Sequence, residues 1–294
     1  MNNKRPKVGL VLGSGGPRGF AHIGVLKVLH QNNIPIDFIT GTSIGALFGG
    51  AYAVTKDIEK IEKTMARVGW FKGTFMIIDP AIFPHRGFLD GGGLEDFIHS
   101  FVQDKEFSDT LIPFKCIACD LETGEEIILD EGKLFRAIRA SMSAPLWFKP
   151  LSNNGHLLVD GDLINPLPVN LARSAGCDVV IASSLTNKII DNSKKWLGIP
   201  KLNPIWKKLF GDKNYWRRHK YNLFSLMSRT NNILRQKMVQ ISLDQADIKI
   251  TPLITIRSPR WSKIYNSRHN LTRCIKIGEE TAKKALPEIK KLIK

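Results

Sequence analysis

The fold of this 294-residue chain is decided close to its start, by the sequence Lys7-Val-Gly-Leu-Val-Leu-Gly-Ser-Gly-Gly-Pro-Arg-Gly19. A short apolar strand over residues 7–12 ends there in a glycine-rich turn, and helical spacing of apolar residues follows from Phe20 to His30. The same order returns from Ile36 to Val54, where a strand leads through Gly41-Thr-Ser-Ile-Gly45 into a helix of small residues. Two successive strand–turn–helix units predict neighbouring parallel strands with helices packed on the faces of the sheet.

The rest of the chain continues this α/β pattern. Apolar spacing predicts helices over residues 57–68, 94–102, 133–141 and 268–294, and strands over residues 114–121, 126–129, 156–160, 178–184 and 246–250. No clear period runs from Trp70 to Gly93, which we expect to form a long loop over one end of the sheet. A chain of this length suits one large α/β domain. We therefore expect a single domain over residues 1–294, with a mostly parallel central sheet, helices on both faces, and a core built from about residues 7–184 and 246–294.

Composition excludes several classes of protein. With 43% hydrophobic and 24% charged residues, the chain is not disordered, collagen-like or a coiled coil. The longest apolar candidate, Ile44–Val54, falls short of the ~18–20 residues that a membrane-spanning helix needs. The apolar run Val8–Leu12 is too short for the centre of a signal peptide, and Arg18 follows it closely. We therefore expect a cytoplasmic protein rather than an integral membrane or secreted one.

Cysteine usage agrees with that expectation, because four cysteines in a chain of this length do not suggest a disulfide-stapled domain. They are Cys116, Cys119, Cys177 and Cys274. The first two spell C-x-x-C but lie in a predicted strand, where positions three apart point to opposite faces. These two thiols can then neither pair nor share a metal ion. We expect buried, free cysteines.

Positive charge is concentrated in one stretch of the chain. Of the net charge of +16, the window Lys188–Lys237 carries +11, from thirteen Lys or Arg and two Asp. The same window holds Trp196, Trp206 and Trp216. Basic residues interleaved with aromatic ones suit an anionic membrane surface or nucleic acid, and also a solvated segment whose rings pack on the domain. Charge alone does not distinguish these three interpretations.

The first glycine-rich turn, Gly13–Gly19, invites comparison with a dinucleotide-binding turn. Starting from Gly13, the G-x-G-x-x-G frame lacks its third glycine, because Arg18 stands there. A dinucleotide site also needs an acidic residue where the second strand ends, but that strand ends in Thr40-Gly-Thr42. The sequence therefore disfavours a cofactor. It leaves a run of backbone N–H groups at the N-terminus of a helix, which suits an oxyanion.

The second turn, Gly41-Thr-Ser-Ile-Gly45, has the G-x-S-x-G pattern of a nucleophile elbow. Such an elbow places its serine on a strained turn between a strand and a helix, and the flanking glycines leave room for it. Ser43 stands in that context. The alternative is a tight turn in which Ser43 only caps the helix.

A serine nucleophile needs a base to take its proton. The chain has seven histidines, and none of them follows a late strand in a polar turn, where the histidine of a catalytic triad is expected. Of these, His22 lies on the first predicted helix, where packing is the expected role. A carboxylate is the other choice, and Asp160 stands at the end of the apolar strand 156–160. Asp160-Gly161 is also a strong hairpin-turn signal, so a purely structural role stays open.

Three motifs, taken together and in order, resemble those of the patatin-like phospholipase family, most closely its bacterial and neuropathy-target-esterase-like branch. They are Gly15-Gly-Pro-Arg-Gly19, Gly41-Thr-Ser-Ile-Gly45 and Asp160-Gly161. Ala140-Ser-Met-Ser-Ala-Pro145 and Asn165-Pro-Leu-Pro168 also resemble family segments that flank the catalytic aspartate. Each motif is a weak signal alone, but their order and spacing are specific.

The resemblance covers about residues 7–184 and resumes near residues 246–255. It implies a Ser–Asp dyad that works without histidine. The implied site residues are Ser43 as nucleophile, Asp160 as base, the N–H groups of Gly15 and Gly16 as oxyanion hole, Arg18 as a further N–H and a positive charge, and Gly13, Gly19, Gly41, Gly45, Gly161 and Asp162 as supporting positions.

Two residues depart from the family pattern. Pro17 has no N–H, so the oxyanion donors must be its neighbours. Asp162 stands where the family has Gly or Ala, two residues after Asp160. Like-charge repulsion raises the pKa of Asp160 if Asp162 faces it, and has a negligible effect if Asp162 points to solvent.

The resemblance implies a serine acyl hydrolase of membrane lipids, a phospholipase A or a lysophospholipase. Its expected partners are a phospholipid or lysophospholipid substrate and an anionic membrane, which it meets as a peripheral protein on the inner face. We expect no metal or other cofactor, because the sequence lacks a calcium loop and a His/Cys site. We expect no nucleic acid, because no nucleic-acid-binding motif is present. The alternatives are a general carboxylesterase or acyltransferase with the same dyad, and a catalytically silent membrane-associated regulator.

Overall fold

A computed structural model describes residues 5–68, 89–186, 223–254 and 268–294 of the chain. Within these ranges the strands are β1 (Val8–Leu12), β2 (Phe38–Thr42), β3 (Phe114–Asp120), β4 (Glu126–Leu129), β5 (Leu151–Asn153), β6 (His156–Asp160), β7 (Val179–Ser183) and β8 (Ile248–Ile250). The α-helices are α1 (Phe20–Gln31), α2 (Ile44–Thr55), α3 (Ile58–Val68), α4 (Gly92–Val102), α5 (Leu134–Ser141), α6 (Val169–Ser174), α7 (Leu223–Asp244) and α8 (Arg268–Leu292). Short 3₁₀ turns cover Gly16–Gly19, Phe107–Asp109 and Gly161–Leu163.

These strands form one mixed sheet. Its hydrogen-bonded order is β5-β6-β3-β2-β1-β7-β8, and β4 also pairs with β3. The central pairs β3–β2, β2–β1, β1–β7 and β7–β8 are parallel, whereas β4, β5 and β6 are joined by antiparallel pairing. The predicted α/β fold with a mostly parallel central sheet is therefore confirmed.

Helices cover both faces of the sheet, as the side chains of β1 show. Neighbouring residues of a strand point to opposite faces. Leu10 packs in the large core that includes residues of α1, α2 and α8, whereas Val11 packs in a second core with Val169 of α6 and Val239 of α7. Because β1 is buried on both faces, its sequence is a continuous apolar run rather than an alternating one.

Helices α1 and α8 pack against each other with a glycine of each at the contact. A Cβ atom at Gly24 of α1 would lie 2.1 Å from the carbonyl oxygen of Ile275, and one at Gly278 of α8 would lie 2.1 Å from that of Ala21. Both distances are far below van der Waals contact, so only glycine lets the two backbones come this close. The contact holds the C-terminal helix against the helix that follows β1.

The middle of β3 brings the ends of two other strands together. Ile117 pairs with Thr42 of β2 and with β4, while Cys119 pairs with β6 and with β4. A strand has two edges, and β4 occupies one of them here, so β2 and β6 share the other. β2 runs parallel to β3 and β6 runs antiparallel, so their carboxyl ends approach each other, with Thr42 opposite Ile117 and Asp160 opposite Ala118. The residue after Thr42 therefore lies beside Asp160.

The structure differs from the sequence prediction in several elements. Strand β2 continues through Gly41 to Thr42, because its ladder to β1 extends to Gly41 and its ladder to β3 extends to Thr42. Pattern reasoning does not predict β5, α6 or α7. β5 is only three residues long, α6 follows the proline-rich Pro166-Leu-Pro168, and α7 begins inside the basic stretch.

Two predicted features lie largely outside the described residues. They are the loop over residues 70–93, which is described from residue 89, and the stretch Lys188–Lys237, which is described only from residue 223 onwards. The described residues therefore include none of the three tryptophans of this stretch, Trp196, Trp206 and Trp216. Among the described helices, none combines the length and the apolar character needed to cross a bilayer.

The four cysteines are free and buried, as expected. Cys116 and Cys119 lie on β3, in the strand that the sequence predicts. The C-x-x-C spacing is therefore a feature of a buried strand.

Gly24→Ala is expected to lower the free energy of unfolding by roughly 1–3 kcal/mol, because the added methyl group overlaps the carbonyl of Ile275. Alanine favours a helix over glycine by ~1 kcal/mol, so helix propensity alone predicts that the substitution raises the free energy of unfolding. The matched control is Gly49→Ala in α2, whose nearest neighbour is a side-chain methyl of Ile39 at 3.1 Å rather than a backbone atom at 2.1 Å. Chemical denaturation measures both variants. An unchanged or higher stability of Gly24→Ala would contradict the close packing of α1 and α8.

Candidate active site

Ser43 occupies a sharp turn between β2 and α2. Its φ is 57°, in the left-handed region that residues with side chains rarely adopt, and such backbone strain costs about 1–3 kcal/mol. Close packing enforces the turn. A Cβ atom at Gly41 would lie 2.5 Å from the carbonyl oxygen of Gly45, and one at Gly45 would lie 2.0 Å from that of Leu12. The turn has the geometry of a nucleophile elbow.

The side chain of Ser43 meets that of Asp160. Ser43 Oγ donates a hydrogen bond of 2.7 Å to Oδ2 of Asp160. Both residues are buried, at 8% and 6% exposed. The contact follows from the strand ends on β3, since Ser43 comes directly after Thr42 and Asp160 is the last residue of β6. The hydroxyl and the carboxylate therefore touch directly, at the distance that proton transfer requires.

The segment at the end of α5 holds both members of this pair. The backbone N–H of Ser43 donates to Oγ of Ser141 at 2.9 Å, and that of Asp160 donates to the carbonyl oxygen of Ser143 at 3.0 Å. Arg139, buried in the same helix, donates to Oγ of Ser143 and to backbone carbonyls just before α4. The sequence resemblance marks this segment, and the structure gives its physical role, which is to fix the backbone on which both side chains stand.

Burial dominates the acidity of Asp160. Removal from water raises its pKa, and the charge of Asp162 raises it further, to about 7. A 2.9 Å hydrogen bond from the N–H of Asp162, the hydrogen bond from Ser43 and the positive charge of Arg235 act in the opposite direction. Asp162 therefore faces the site, and the like-charge effect that the sequence left open is present. A carboxyl group with a pKa near neutrality can both accept and return a proton.

The glycine-rich turn packs directly against the elbow. A Cβ atom at Gly19 would lie 2.1 Å from the side chain of Ile44, the residue after Ser43. From the other side, a Cβ atom at Gly45 would lie 2.8 Å from the carbonyl oxygen of Gly13. The turn and the elbow are therefore one packed unit, held together at three of the glycines that the motif predicts.

The N–H groups of Gly15 and Gly16 have no acceptor among the described residues. Gly16 has a φ of 54°, a conformation that glycine adopts freely. Arg18 donates twice to the carbonyl oxygen of Gly15, from its backbone N–H at 3.3 Å and from Nε at 3.2 Å. Because the C=O and N–H of one peptide point in opposite directions, these bonds turn the N–H of Gly16 away from Arg18. The N–H of Arg18, expected as a further oxyanion donor, here donates to Gly15, and its part in an oxyanion hole stays a prediction.

His22 and two backbone hydrogen bonds fix the start of the loop. The N–H of Gly13 donates to the carbonyl oxygen of Ser183, and that of Ser14 to the carbonyl oxygen of Pro166, both at 2.9 Å. His22 is fully buried, with Nε2 2.8 Å from the carbonyl oxygen of Gly13 and Nδ1 3.0 Å from Oγ of Ser183. Burial lowers the pKa of His22 to about 4, so the neutral ring carries its hydrogen on Nε2 and donates it to Gly13. Sequence reasoning assigns His22 only to packing and misses this contact.

A second polar cluster adjoins Asp160. Asp162 accepts a hydrogen bond from the hydroxyl of Ser14 and lies 2.6 Å from Nε of Arg235 on α7. Arg235 is buried, at 9% exposed. Sequence reasoning groups it with the basic stretch of Lys188–Lys237 and gives it no place in the site. The one signal that could have revealed it is the second carboxylate beside Asp160, which needs a cation nearby if it is not to face water.

Known proteins resemble this chain over the region that carries these residues. Residues 10–173 match the model of a family described as patatin-like phospholipase. "Patatin-like phospholipase domain-containing protein 6" of Mus musculus is 37% identical over 180 residues, which are 60% of this chain and 13% of that protein. "Lysophospholipase NTE1" of Kluyveromyces lactis is 35% identical over 179 residues, 60% of this chain and 12% of that protein. The chain therefore matches only a small part of the length of these curated relatives.

Among solved structures, the crystal structure of VipD from Legionella pneumophila is similar in fold. The TM-score is 0.52 at 13% sequence identity, over 97% of this chain and 67% of that one. At this identity the likeness concerns the fold alone.

Asp160→Asn is expected to be more stable than the wild type at pH 8. The pKa of Asp160 is about 7 in the folded protein, against an ordinary value of 3.8. The folded state therefore keeps a proton that the unfolded state releases, and the contribution of Asp160 to stability is lost as the pH rises from about 4 through 7. Asparagine does not titrate, so the difference between variant and wild type should shrink towards pH 5.

Thermal unfolding at pH 8 and pH 5 measures this difference. The matched control is Asp96→Asn, an exposed aspartate of α4, for which no such pH-dependent gain is expected. A variant Asp160→Asn that is less stable than the wild type at both pH values would show that the ionised carboxylate is not strained by its burial.

Proposed function

Because the chain belongs to the patatin-like phospholipase family, we propose that it is a serine acyl hydrolase of membrane lipids, a phospholipase A or lysophospholipase. The observation that carries the proposal is the 2.7 Å hydrogen bond from Ser43 Oγ to Asp160. In this proposal Ser43 is the nucleophile and Asp160 the general base. The name of the Kluyveromyces lactis relative, a lysophospholipase, supports a lysophospholipid among the substrates.

Acylation begins with attack of Ser43 Oγ on the carbonyl carbon of the ester. As the new C–O bond forms, the hydroxyl proton passes to Oδ2 of Asp160, and the carbonyl electrons move to oxygen to give a tetrahedral oxyanion. Asp160 becomes neutral in this step. Burial favours the neutral carboxyl group, so the environment that raises the pKa of Asp160 assists the transfer.

The oxyanion accepts hydrogen bonds from the N–H groups of Gly15 and Gly16 in this proposal. Each such donor typically contributes ~10²–10³ in rate, because it is aimed in advance at charge that develops in the transition state. Arg18 and His22 act through the loop, since their hydrogen bonds to the carbonyl oxygens of Gly15 and Gly13 fix its backbone.

The intermediate collapses by breaking the bond to the alcohol part of the lipid, whose oxygen takes the proton from Asp160. Water then attacks the acyl ester of Ser43 and gives a proton to Asp160. When the second tetrahedral intermediate collapses, the fatty acid leaves and the proton returns to Ser43 Oγ. The cycle consumes one water molecule and regenerates both side chains.

Exposed apolar side chains lie close in sequence to the dyad and support docking on a lipid surface. Leu146 and Trp147 follow the segment that holds the dyad, and Leu163 and Ile164 follow Asp160 by three and four residues. All four are between 37% and 64% exposed. Combined with the basic, tryptophan-containing stretch of the sequence, they favour an anionic membrane surface as the place where the enzyme meets its substrate.

Ser43→Ala is expected to abolish labelling by a fluorophosphonate probe and to lower hydrolysis of lysophosphatidylcholine by roughly 10³-fold or more, because no other hydroxyl takes the position of the nucleophile. Probe labelling and fatty-acid release measure the two effects. The matched control is Ser100→Ala in α4, whose hydroxyl donates to the carbonyl oxygen of Phe97. It should keep both activities.

Near-wild-type labelling or hydrolysis by Ser43→Ala is incompatible with the proposed nucleophile. If the wild type is labelled and cleaves short soluble esters but no phospholipid or lysophospholipid, the general carboxylesterase interpretation replaces the lipase.

Reversing the charge of Lys207, Lys208, Arg217 and Arg218 to Glu is expected to weaken binding to vesicles that contain anionic lipid. Each Lys or Arg near such a surface contributes ~1 kcal/mol, and salt screens the attraction. Co-sedimentation with these vesicles at low and high salt measures the binding. The control reverses four exposed lysines of α8, Lys276, Lys283, Lys284 and Lys291, which changes the net charge by the same amount. Equal binding by the two quadruple variants would remove the docking role of the basic stretch.

A further inference from the structure

Arg235 reaches the site from a helix that lies outside residues 10–173, the region matched by the family model. Its Nε lies 2.6 Å from Oδ1 of Asp162, and its Nη2 donates to Oγ of Ser14 at 2.9 Å. The hydroxyl of Ser14 in turn donates to the same Oδ1. The three side chains form a closed cluster that joins the glycine-rich loop, the turn after Asp160 and helix α7.

We propose that Arg235 is a positioning residue of the hydrolytic site, which balances the charge of Asp162 beside Asp160 and fastens the glycine-rich loop through Ser14. This role rests on the hydrolase function proposed above. It extends that function, because it makes a helix from the C-terminal part of the chain a component of the site.

The charges that act on Asp160 come from two elements, with Asp162 on the same turn and Arg235 on α7. Arg18, on the glycine-rich loop, interacts with both of these side chains. The carboxylate of Asp162 opposes ionisation of Asp160, and the guanidinium of Arg235 favours it. Burial and repulsion by Arg235 lower the pKa of Arg18 to about 10, and the charge of Asp162 acts in the opposite direction. Removal of either Asp162 or Arg235 changes the charge that Asp160 experiences.

The packing of α7 fixes the position of Arg235. Val239 and Leu243, one and two helical turns further on, are buried in the core that includes residues of α6. Arg235 is buried too, so these three side chains form one inward face of the helix. The guanidinium is thereby held beside the carboxylate of Asp162, and its Nη2 makes the hydrogen bond to Ser14, whereas its Nε makes none among the described residues. The cation is therefore in place before a substrate arrives.

The test is the pH dependence of kcat/KM for a soluble ester, p-nitrophenyl butyrate, in the full-length wild type and its variants. The acid limb of this profile reports ionisation of the base in the free enzyme. Arg235→Gln leaves the charge of Asp162 unbalanced and is expected to move the limb to higher pH. Asp162→Asn removes the repulsion and is expected to move it to lower pH, each by on the order of one pH unit. In the double variant the two changes oppose each other, and the limb should return towards that of the wild type.

Two further variants separate charge from structure. Arg235→Lys keeps the positive charge and should keep the limb close to that of the wild type. Lys284→Gln removes one cation from the exposed side of α8 and should leave the profile unchanged. A purely structural role for Arg235 would lower the rate at every pH without moving the limb, and that result overturns the proposal. If Arg235→Gln does not fold, Asp162→Asn decides alone, since an unmoved or raised limb in that variant also overturns it.

The same assay distinguishes failure of the proposed hydrolase function from failure of the proposed role of Arg235. If Ser43→Ala hydrolyses the ester as fast as the wild type, the hydrolase site itself is wrong. If Ser43→Ala is inactive and the limbs of wild type, Asp162→Asn and Arg235→Gln coincide, the hydrolase function stands and only the role of Arg235 is lost.

Discussion

One edge of β3 is the constraint on which the site depends. Two strands reach this edge from opposite directions, β2 in parallel and β6 in antiparallel pairing, and their carboxyl ends meet there. Ser43 follows the end of one and Asp160 is the end of the other, so the sheet itself brings a hydroxyl and a carboxylate to 2.7 Å. The other features of the site stabilise this contact between Ser43 and Asp160. The glycines let the elbow and the loop pack closely, and the segment after α5 holds both backbones.

The same burial that shapes the site also raises the pKa of Asp160, the proposed base. In water a carboxylate with an ordinary pKa is a poor acceptor for a serine proton, whereas removal from water raises the pKa of Asp160 to about 7. The carboxylate of Asp162 raises the pKa of Asp160 further, and the positive charge of Arg235 lowers it. The pKa of Asp160 is therefore set by burial and by the charges of Asp162 and Arg235, the second of which comes from a helix distant in sequence.

Local patterns predicted much of the fold, and long-range contacts account for what they missed. The boundaries of β4 and β6 agree with the sequence prediction, because apolar strands bounded by turn residues are visible in short windows. The motifs also pointed to Ser43 and Asp160, since strained turns need glycine nearby. Arg235 could not be found in this way. It meets Ser14 across 221 residues, and on α7 it looks like any other cation of a basic stretch.

The most direct test is the rate constant with which excess fluorophosphonate labels Ser43, forming a phosphorus–oxygen bond and releasing fluoride, followed as a function of pH. We expect a rate constant that rises with pH around a midpoint near 7, the pKa of Asp160. We also expect a loss of ~10²–10⁴-fold in Asp160→Asn, the range typical of a removed general base. A rate that does not depend on pH, or that is the same in Asp160→Asn and the wild type, would contradict a buried carboxylate acting as the base for Ser43.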